Sequence, residues 1–372
     1  MEKLVLIDSN AIIHRAYHAL PKTMSNRQGE QTNAIYGFTT TLIKVLEDLH
    51  PCYIAASFDL AGPTFRHEHY KEYKATRIKA DQELYDQIPH IKELLVTMKI
   101  PIYEKQGFEA DDIIGTIVRK TQETSKNIQT YIVSGDKDIY QLVNGNVFVY
   151  SLRRGLSQMQ IIDRQTIENE YDLQPNDFID LKALAGDPSD NIPGVPGIGE
   201  KTAVDLIQRY DTIDKLYDKI ADFLDRDGII SKSAFLNSKQ ISNSSSENSN
   251  IEKLIENFKL KIENYFNGIK KMSDEMKIKP RILGLLISYQ PQAFLSQKLA
   301  TIHRDVPIGF SLEDCRWGEY DKEKLQKLFE ELGFLSLLRR FDKSSKTDES
   351  KSKKDEDQKA EIGKNDEQLK LL

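Results

Sequence analysis

The sequence has few cysteines and no long run of apolar residues. Its two cysteines, Cys52 and Cys315, lie far apart and form no CxxC motif, which argues against a disulfide framework or a zinc site and fits a reducing cytoplasm. No apolar stretch approaches the roughly 18 residues that a membrane helix needs. No basic segment followed by an apolar one opens the chain. We therefore expect a cytoplasmic protein with no signal peptide and no membrane partner.

Charged residues are abundant instead. They make up 30% of the chain beside 39% hydrophobic residues, and the formal net charge is -6. The hydrophobic share is enough for a core, and 372 residues suit two domains. The negative total argues only weakly against a nucleic-acid partner, because such binding depends on local basic patches.

The first part of the chain alternates strand-like and helix-like patterns. Short apolar runs that each lead into an acidic turn predict strands at Lys3–Ile7, Tyr53–Phe58 and Gln129–Val133. Apolar residues at three- and four-residue spacing predict helices at Ala34–Leu49, Tyr85–Met98 and Asp111–Thr124. Strands alternating with helices indicate βαβ units. Residues 1–170 are therefore predicted to form an α/β domain with a doubly wound, mainly parallel sheet.

A part without strand patterns follows, and residues 171–341 are predicted to form a helical subdomain. Its helices are predicted at Phe178–Ala185, Lys201–Arg209, Ile213–Lys219, Ile251–Lys271, Phe294–Ile302 and Lys322–Phe334. The stretch 231–250 is rich in Ser and Asn and is predicted to be a flexible insert. The charged tail 342–372 has too few large apolar residues to offset the entropy of ordering, so we expect it to be disordered.

Acidic residues stand where the predicted strands end, where one predicted helix begins, and just before a glycine-rich turn. The carboxyl ends of the strands in a doubly wound sheet open onto one edge, so these acids are expected to meet there. The acids concerned are Asp8, Asp59, Glu109, Asp111, Asp112, Asp136, Asp138, Asp187 and Asp190.

Many carboxylates in one cleft repel each other unless cations neutralise them. Oxygen ligands without His or Cys indicate a hard cation, Mg²⁺ or Mn²⁺, and more than about five carboxylates suggest two ions. Each acid alone has a simpler explanation, because a strand-end Asp often caps a helix and the acids of EADD suit a helix dipole. The metal hypothesis therefore depends on the acids meeting.

The glycine-rich turn GDPSDNIPGVPGIGEKTA, residues 186–203, allows three interpretations. A P-loop is disfavoured because Glu200 separates Gly199 from Lys201 and no strand precedes the turn. A simple loop that caps a helix remains open. A helix–hairpin–helix turn is favoured, because its glycines permit unusual backbone angles and the N–H groups opening the next helix can face a DNA phosphate.

Basic and aromatic residues are mixed between Gly62 and Lys79. This run includes Arg66, Lys74 and Arg77 together with several rings. Rings that stack on bases beside cations that meet phosphates are typical of single-stranded nucleic-acid binding. A solvated amphipathic helix is the alternative.

Together these motifs identify a resemblance to the 5′→3′ exonuclease domain of bacterial DNA polymerase I, within the flap-endonuclease superfamily. The matching runs, in order from Met1 to Phe341, are LVLIDSNAIIHRAYHALP, FDLAGPTFRHEHYKEYKATR, GFEADDIIG, SGDKDIYQLV, GDPSDNIPGVPGIGEKTA, LATIHRDVPI and ELGFLSLLRRF. The resemblance implies a PIN-like fold and cleavage of 5′ flaps, nicked ends and RNA primers by a monomer in the bacterial nucleoid.

The resemblance also implies residue roles. One ion would be held by Asp8, Asp59, Glu109, Asp111 and Asp112, and the second by Asp136, Asp138, Asp187 and Asp190. Arg66, Lys74 and Arg77 would belong to an arch over the active site, where Lys74 acts on the scissile phosphate. His14 and Tyr17 would contact DNA. The hairpin would grip duplex DNA, with K⁺ as a further cofactor, through Gly194, Val195, Gly197, Ile198, Gly199, Lys201 and Thr202.

The sequence departs from the family pattern in places. Ser9 replaces a usual Gly, His14 replaces a usual Tyr or Phe, and the region from Asp222 to Arg281 is longer and more polar. A polymerase follows this domain in the long members, so a stand-alone nuclease and a fragment both remain open, and a polymerase is a candidate partner. Two rival hypotheses are a catalytically silent module that binds branched DNA and a ribonuclease acting on free RNA.

Overall fold

The structure, a computed structural model, describes residues 1–154, 158–237 and 266–340. Within the insert predicted over 231–250, Lys232–Asn237 form a helix with Phe235 buried. The tail 342–372, the rest of the insert from residue 238 and most of the helix predicted over Ile251–Lys271 lie outside the described residues. The predictions for those segments therefore remain untested.

Six strands form one sheet in the order β3-β2-β1-β4-β5-β6. The pairings of β1 to β5 are parallel, and only β6 runs antiparallel, against β5. The strands are β1 Glu2–Asp8, β2 Tyr53–Ser57, β3 Ile102–Tyr103, β4 Ile128–Ser134, β5 Val147–Arg154 and β6 Gln158–Ile162. The three predicted strands and the mainly parallel sheet are confirmed.

The central strand β1 shows why these residues fold as they do. Leu4 and Leu6 pack into one apolar cluster, and Val5 and Ile7 pack into another on the opposite face. Alternate residues of a strand point to opposite faces, so a run buried on both faces must be apolar throughout. The register pairs Asp8 with Ser57 of β2, which brings the first polar residue after the run to the edge of the sheet.

Helices cover both faces of this sheet and form the part beyond it. They are α1 Ser9–Ala19, α2 Asn33–Leu49, α3 Phe65–His69, α4 Gln82–Tyr85, α5 Ile88–Thr97, α6 Ala110–Thr124, α7 Arg164–Tyr171, α8 Asp177–Ala185, α9 Glu200–Tyr210, α10 Ile213–Arg226, α11 Lys232–Asn237, α12 Phe266–Met276, α13 Pro280–Ser288, α14 Gln290–Ala300 and α15 Lys322–Glu331. Short 3₁₀ turns occupy Asp138–Leu142 and Glu313–Cys315.

Two local predictions were incomplete. The helix predicted over Tyr85–Met98 is divided into α4 and α5, because Pro89 stands at the start of α5 and cannot donate an interior helix hydrogen bond. The sequence analysis also missed β3, β5 and β6. Strand β3 has only two residues, too few to show a periodic pattern.

The helical part shares its core with the sheet. One apolar cluster includes Leu6 of β1, Ile117 of α6, Leu184 of α8 and Leu286 of α13. After α14 the chain returns to the sheet, and Phe329 of α15 joins the cluster on the opposite face. The domain boundary expected near residue 170 stays a prediction. No helix within the described residues has the length and apolar character needed to cross a membrane.

Candidate active site

Asp8 lies at the edge of the sheet where the acids were expected to meet. It is the N-cap of α1, where it accepts a hydrogen bond of 3.2 Å from the Ala11 amide. Its other oxygen accepts one of 2.6 Å from the hydroxyl of Ser134, the last residue of β4. Burial, with added repulsion from Asp59 and Asp136, raises the pKa of Asp8 to about 7. The predicted capping and the predicted acid cluster therefore coexist.

Asp59 and Asp111 complete this first group of acids. Asp59 accepts a 2.7 Å hydrogen bond from the Ala110 amide at the start of α6, and burial raises the pKa of its carboxyl. Burial and repulsion, first from Asp8, raise the pKa of Asp111 well above its usual range. Within the described residues, no lysine or arginine forms an ion pair with these three acids. The charge of this group, here called the strand-end group, is therefore not neutralised by a direct ion pair, although Lys74 and Arg77 offset part of the burial effect that raises the pKa of Asp59.

A second group of acids lies beside the first. Asp138, Asp187 and Asp190 bring carboxylate oxygens within 4.8 Å of one another. Asp138 opens the 3₁₀ turn after β4, and the other two belong to the turn after α8. Asp136 links the groups through its carboxylate, which accepts a 2.9 Å hydrogen bond from the Asp138 amide. We call the three clustered acids the hairpin-side group.

Basic side chains contact the hairpin-side group directly. Lys182 of α8 lies with its Nζ atom 2.5 Å from Asp187 and also contacts Asp138. Arg77 contacts Asp190. Burial and the nearby Asp136 outweigh Lys182 and raise the pKa of Asp138 to about 6. At Asp187 burial is outweighed by Lys182, which holds the pKa of that carboxyl below its usual value.

Glu109 receives basic partners from the segment after α3. Lys74 Nζ lies 2.9 Å from its carboxylate, and Arg66 Nη1 lies at 3.5 Å. Burial alone would raise the pKa of Glu109, but these two cations lower it. The Tyr73 hydroxyl lies 3.1 Å from Glu109 and 3.2 Å from Asp190, so it joins acids from the two predicted metal sites.

Asp112 is fully buried, and its partners lie outside both groups. Both of its oxygens pair with Arg66 at 2.8 Å, in a bidentate bond. The same carboxylate accepts from the Glu109 amide at 3.0 Å and from the His303 amide at 2.8 Å. Arg66 also donates to the Leu299 carbonyl at 2.9 Å. Arg66 and Asp112 thus tie α3, the start of α6 and the segment after α14 together.

The remaining predicted positions lie around this centre. His14 is exposed and lies 6.5 Å from the ring of His18. Tyr17 is buried, and its hydroxyl donates to Asp81 at 2.9 Å. Lys74 has a left-handed backbone, φ 56°, and its amide donates to the Asp190 carbonyl at 2.9 Å, which fastens the predicted arch to the hairpin turn.

The turn between α8 and α9 is a tight backbone hairpin. A Cβ atom on Gly194 would lie 2.2 Å from the Gly186 nitrogen, and φ there is +59°; only glycine fits. The Val195 amide donates to the Leu184 carbonyl at 2.8 Å, while Val195 and Ile198 are buried. The next helix, α9, begins directly after this turn. Gly199, two residues after Gly197, is its N-cap, and Lys201 and Thr202 lie in its first turn.

Three basic residues, Arg15, Lys137 and Lys182, line the cleft between the sheet edge and α8, whose volume is about 710 Å³, and the sequence motifs assigned a role to none of them. Lys182 was passed over inside an apolar helix pattern. Arg15 of α1 is half-buried beside Gly135, and within the described residues it has no carboxylate partner. A signal existed for Arg15, because α1 begins just after Asp8 and residues seven positions apart lie on the same face of a helix.

The donor set fits hard divalent cations. Every side chain of the two groups offers carboxylate oxygen, and three of these oxygens lie close enough to share one ion. Burial, and after it mutual repulsion, raise the pKa values of Asp8 and Asp111, and a bound cation would favour the charged form of both acids. Asp112 is the exception, because its oxygens are already used.

Comparison with known proteins identifies the class. Residues 3–172 match the family model described as "5'-3' exonuclease, N-terminal resolvase-like domain", and residues 173–244 match "5'-3' exonuclease, C-terminal SAM fold". The chain belongs to the 5′–3′ exonuclease family, whose members are nucleases.

The relatives are larger proteins. The chain is 35% identical over 348 residues to DNA polymerase I of Bacillus caldotenax and 34% identical over 344 residues to that of Bacillus subtilis, covering 94% and 92% of this chain. It spans about a third of their length, 33% in each case. The resemblance inferred from the motifs is confirmed.

Solved structures show the same fold. The T5 5′-exonuclease with bound divalent zinc ions is 16% identical with a TM-score of 0.54, covering 92% of this chain and 98% of the other. The T5 D15 flap endonuclease in complex with DNA and metal ions is 17% identical with a TM-score of 0.50, covering 92% and 100%. The expected PIN-like α/β fold is confirmed.

Proposed function

We propose that the chain is a structure-specific 5′→3′ exonuclease and flap endonuclease that hydrolyses phosphodiester bonds near 5′ ends of DNA and of RNA primers in replication and repair. The observation that carries the proposal is the meeting of the two acid groups at one sheet edge, beside basic side chains and a glycine hairpin. A DNA polymerase is the expected partner, and the bacterial nucleoid is the expected location.

Two hard divalent cations, Mg²⁺ or Mn²⁺, would bind the acids. Asp8, Asp59, Glu109 and Asp111 would hold one, and Asp136, Asp138, Asp187 and Asp190 would hold the other. When bound, such ions supply Lewis-acid activation of a phosphodiester and of water. Asp112 and Arg66 act on this centre indirectly, because their bidentate pair fixes the Glu109 amide and hence the start of α6.

The chain's own cations would orient the substrate. Lys74 pairs with Glu109 and Arg77 pairs with Asp190, and the two ions bound by those acids would free both side chains for a phosphate. Arg15 faces the cleft without a carboxylate partner in the described part of the chain, so its planar guanidinium can bind a phosphate directly. The hairpin, together with K⁺, would hold the duplex through Lys201 and backbone N–H groups without reading base sequence.

A cleavage assay tests this proposal. A labelled 5′-flap duplex should be cut near the junction with Mg²⁺ and left intact with EDTA. Cleavage should also weaken strongly between about 50 and 200 mM salt, because phosphate contacts dominate such binding. Binding of the flap without any product would favour a silent DNA-binding module instead. Preference for free single-stranded RNA would favour a ribonuclease.

A further inference from the structure

We propose that Lys182 is the resident counter-ion of the hairpin-side acid group, and that a divalent cation must displace its ammonium group in order to bind there. This inference rests on the proposed function, because it concerns the second of the two ions. It assigns a positioning role to a lysine that the motifs did not single out.

The first argument is geometric. Lys182 Nζ contacts Asp187 at 2.5 Å and also contacts Asp138, so it lies between acids that come from different elements. A magnesium ion would need oxygens of the same acids at about 2.1 Å. An ammonium group and a metal ion therefore compete for one place.

The charge balance of the hairpin-side group also supports the proposal. Asp190, the third acid of the group, has its own partners in Arg77 and Lys74. Asp138 and Asp187 share Lys182 alone among the basic residues of the described chain. The side chains of Lys182, Asp138 and Asp187 are 17%, 15% and 14% exposed, so solvent screens the arrangement only in part. Without Lys182, two nearly buried carboxylates would face each other unpaired.

The ammonium group of Lys182 also has open space beside it. Lys182 lines the open cleft in front of the acids, and its four-carbon stem is flexible. Displacement therefore requires a change of side-chain rotamers and no movement of α8. Lys182 therefore has opposite effects on two quantities: it stabilises the metal-free protein and it weakens metal binding.

Three variants test these two effects of Lys182. Lys182→Met removes the charge at similar length, and Lys182→Arg keeps it. Lys137→Met is the matched control, since Lys137 lines the same cleft but lies over the Tyr171 ring, 4.9 Å from its centroid. Binding of Mn²⁺ alone, without DNA, would be followed by electron paramagnetic resonance of the free ion, and melting would be measured in EDTA and in saturating Mn²⁺.

Lys182→Met should bind the weaker Mn²⁺ ion about tenfold more tightly than the parent protein. It should also melt at a lower temperature in EDTA but at a similar one in Mn²⁺. Lys182→Arg and Lys137→Met should stay within about threefold of the parent affinity. Equal losses of stability in both conditions, or tighter binding in Lys182→Arg as well, would overturn the proposal.

A measurement on the parent protein guards against a variant that fails to fold. With ¹³C-labelled lysine and the Lys182 signal assigned from Lys182→Arg, the Cε resonance should shift at the Mg²⁺ concentration that fills the weaker site. A resonance that does not respond while two ions bind would refute the role of Lys182 alone. A parent protein that binds no second ion would instead refute the two-ion function.

Discussion

The two acid groups of the active site differ in how the protein compensates their charge. The strand-end group of Asp8, Asp59 and Asp111 forms no ion pair with a lysine or arginine in the described residues, and burial raises the pKa values of all three. In the hairpin-side group every acid contacts a basic side chain. Without an added cation, the carboxylates of the strand-end group therefore repel one another, whereas each acid of the hairpin-side group is paired with a basic residue of the chain itself.

This difference separates stability from function. Removing a carboxylate from the strand-end group should relieve repulsion, although it removes a metal ligand. Removing a basic partner elsewhere should instead expose an unpaired charge.

The largest expected effect is on catalysis. Asp111→Asn should lower cleavage of a 5′-flap duplex in Mg²⁺ by about 10³-fold or more, because the ion position would lose a charged ligand. The same variant should be at least as stable as the parent protein in EDTA, since burial and four neighbouring acids oppose its charge. Steady-state cleavage and urea unfolding would be measured on the same preparation.

A variant that retained full turnover would contradict the assignment of Asp111. A variant that lost stability in EDTA would contradict the repulsion within the strand-end group.

Breaking the buried ion pair between Arg66 and Asp112 should lower the stability of the protein in EDTA. Arg66→Met leaves Asp112 buried and unpaired, and we expect a loss of about 3–5 kcal/mol in the free energy of unfolding. Lys215→Met, which breaks an exposed pair between α10 and Asp211 in the turn before it, should cost less than about 0.5 kcal/mol. Chemical denaturation in EDTA would compare the two. A loss for Arg66→Met as small as that of the control would refute the structural role given to this pair.

The hairpin provides a prediction about backbone geometry. Gly194→Ala should destabilise the protein by about 1–3 kcal/mol, because the residue has a positive φ and a Cβ would meet the Gly186 backbone. Gly199→Ala should change stability by less than about 0.5 kcal/mol, because nothing lies within 4 Å of its Cβ position. Thermal unfolding of both variants would measure this, and equal stabilities would argue against the close approach of Gly194 and Gly186.

A buried acid outside the active site gives the smallest effect and the clearest pH dependence. Burial raises the pKa of Asp180 to about 6, although the Gln297 amide and the Ile213 N–H donate to it. The folded state therefore holds this proton more tightly than the unfolded state, whose carboxyl titrates near pH 4. Stability from this group falls as pH rises from about 4 to 6, and the penalty is complete above that range.

Asp180→Asn should consequently stabilise the protein by about 1–2 kcal/mol at pH 7.5, and the gain should shrink at pH 4.5. Asp274→Asn, which alters an exposed acid of α12, is the control. Urea denaturation at both pH values would measure the difference, and a gain of the same size at both would refute the raised pKa.

The sequence predicted the parts of this protein that depend on periodic pattern and on chain position. The apolar run before Asp8 and its acidic end were enough to place a strand and a carboxylate at one sheet edge, because parallel strands share that edge. The motif resemblance then supplied the nuclease family. Neither required knowledge of side-chain contacts.

The parts that were missed depend on contacts between distant residues. Asp112 looks like its neighbour Asp111 in sequence, and only its bidentate bond with Arg66 removes it from the acid cluster. Lys182 lies within a helix that was predicted from its apolar residues, so the pattern gave it no role. Its contacts with Asp138 and Asp187 depend on how α8 packs against the 3₁₀ turn. Strand β6 pairs antiparallel with β5, and that pairing depends on contacts between the two strands that a periodic pattern does not show.

The most direct test of the central claim is a crystal structure of the protein with Mn²⁺, using the anomalous signal of the ion. We expect one peak among Asp8, Asp59, Glu109 and Asp111, and a second beside Asp138, Asp187 and Asp190, with Lys182 turned away into the cleft. Peaks at other surfaces, or well-ordered crystals at saturating Mn²⁺ with no peak at either group, would contradict it.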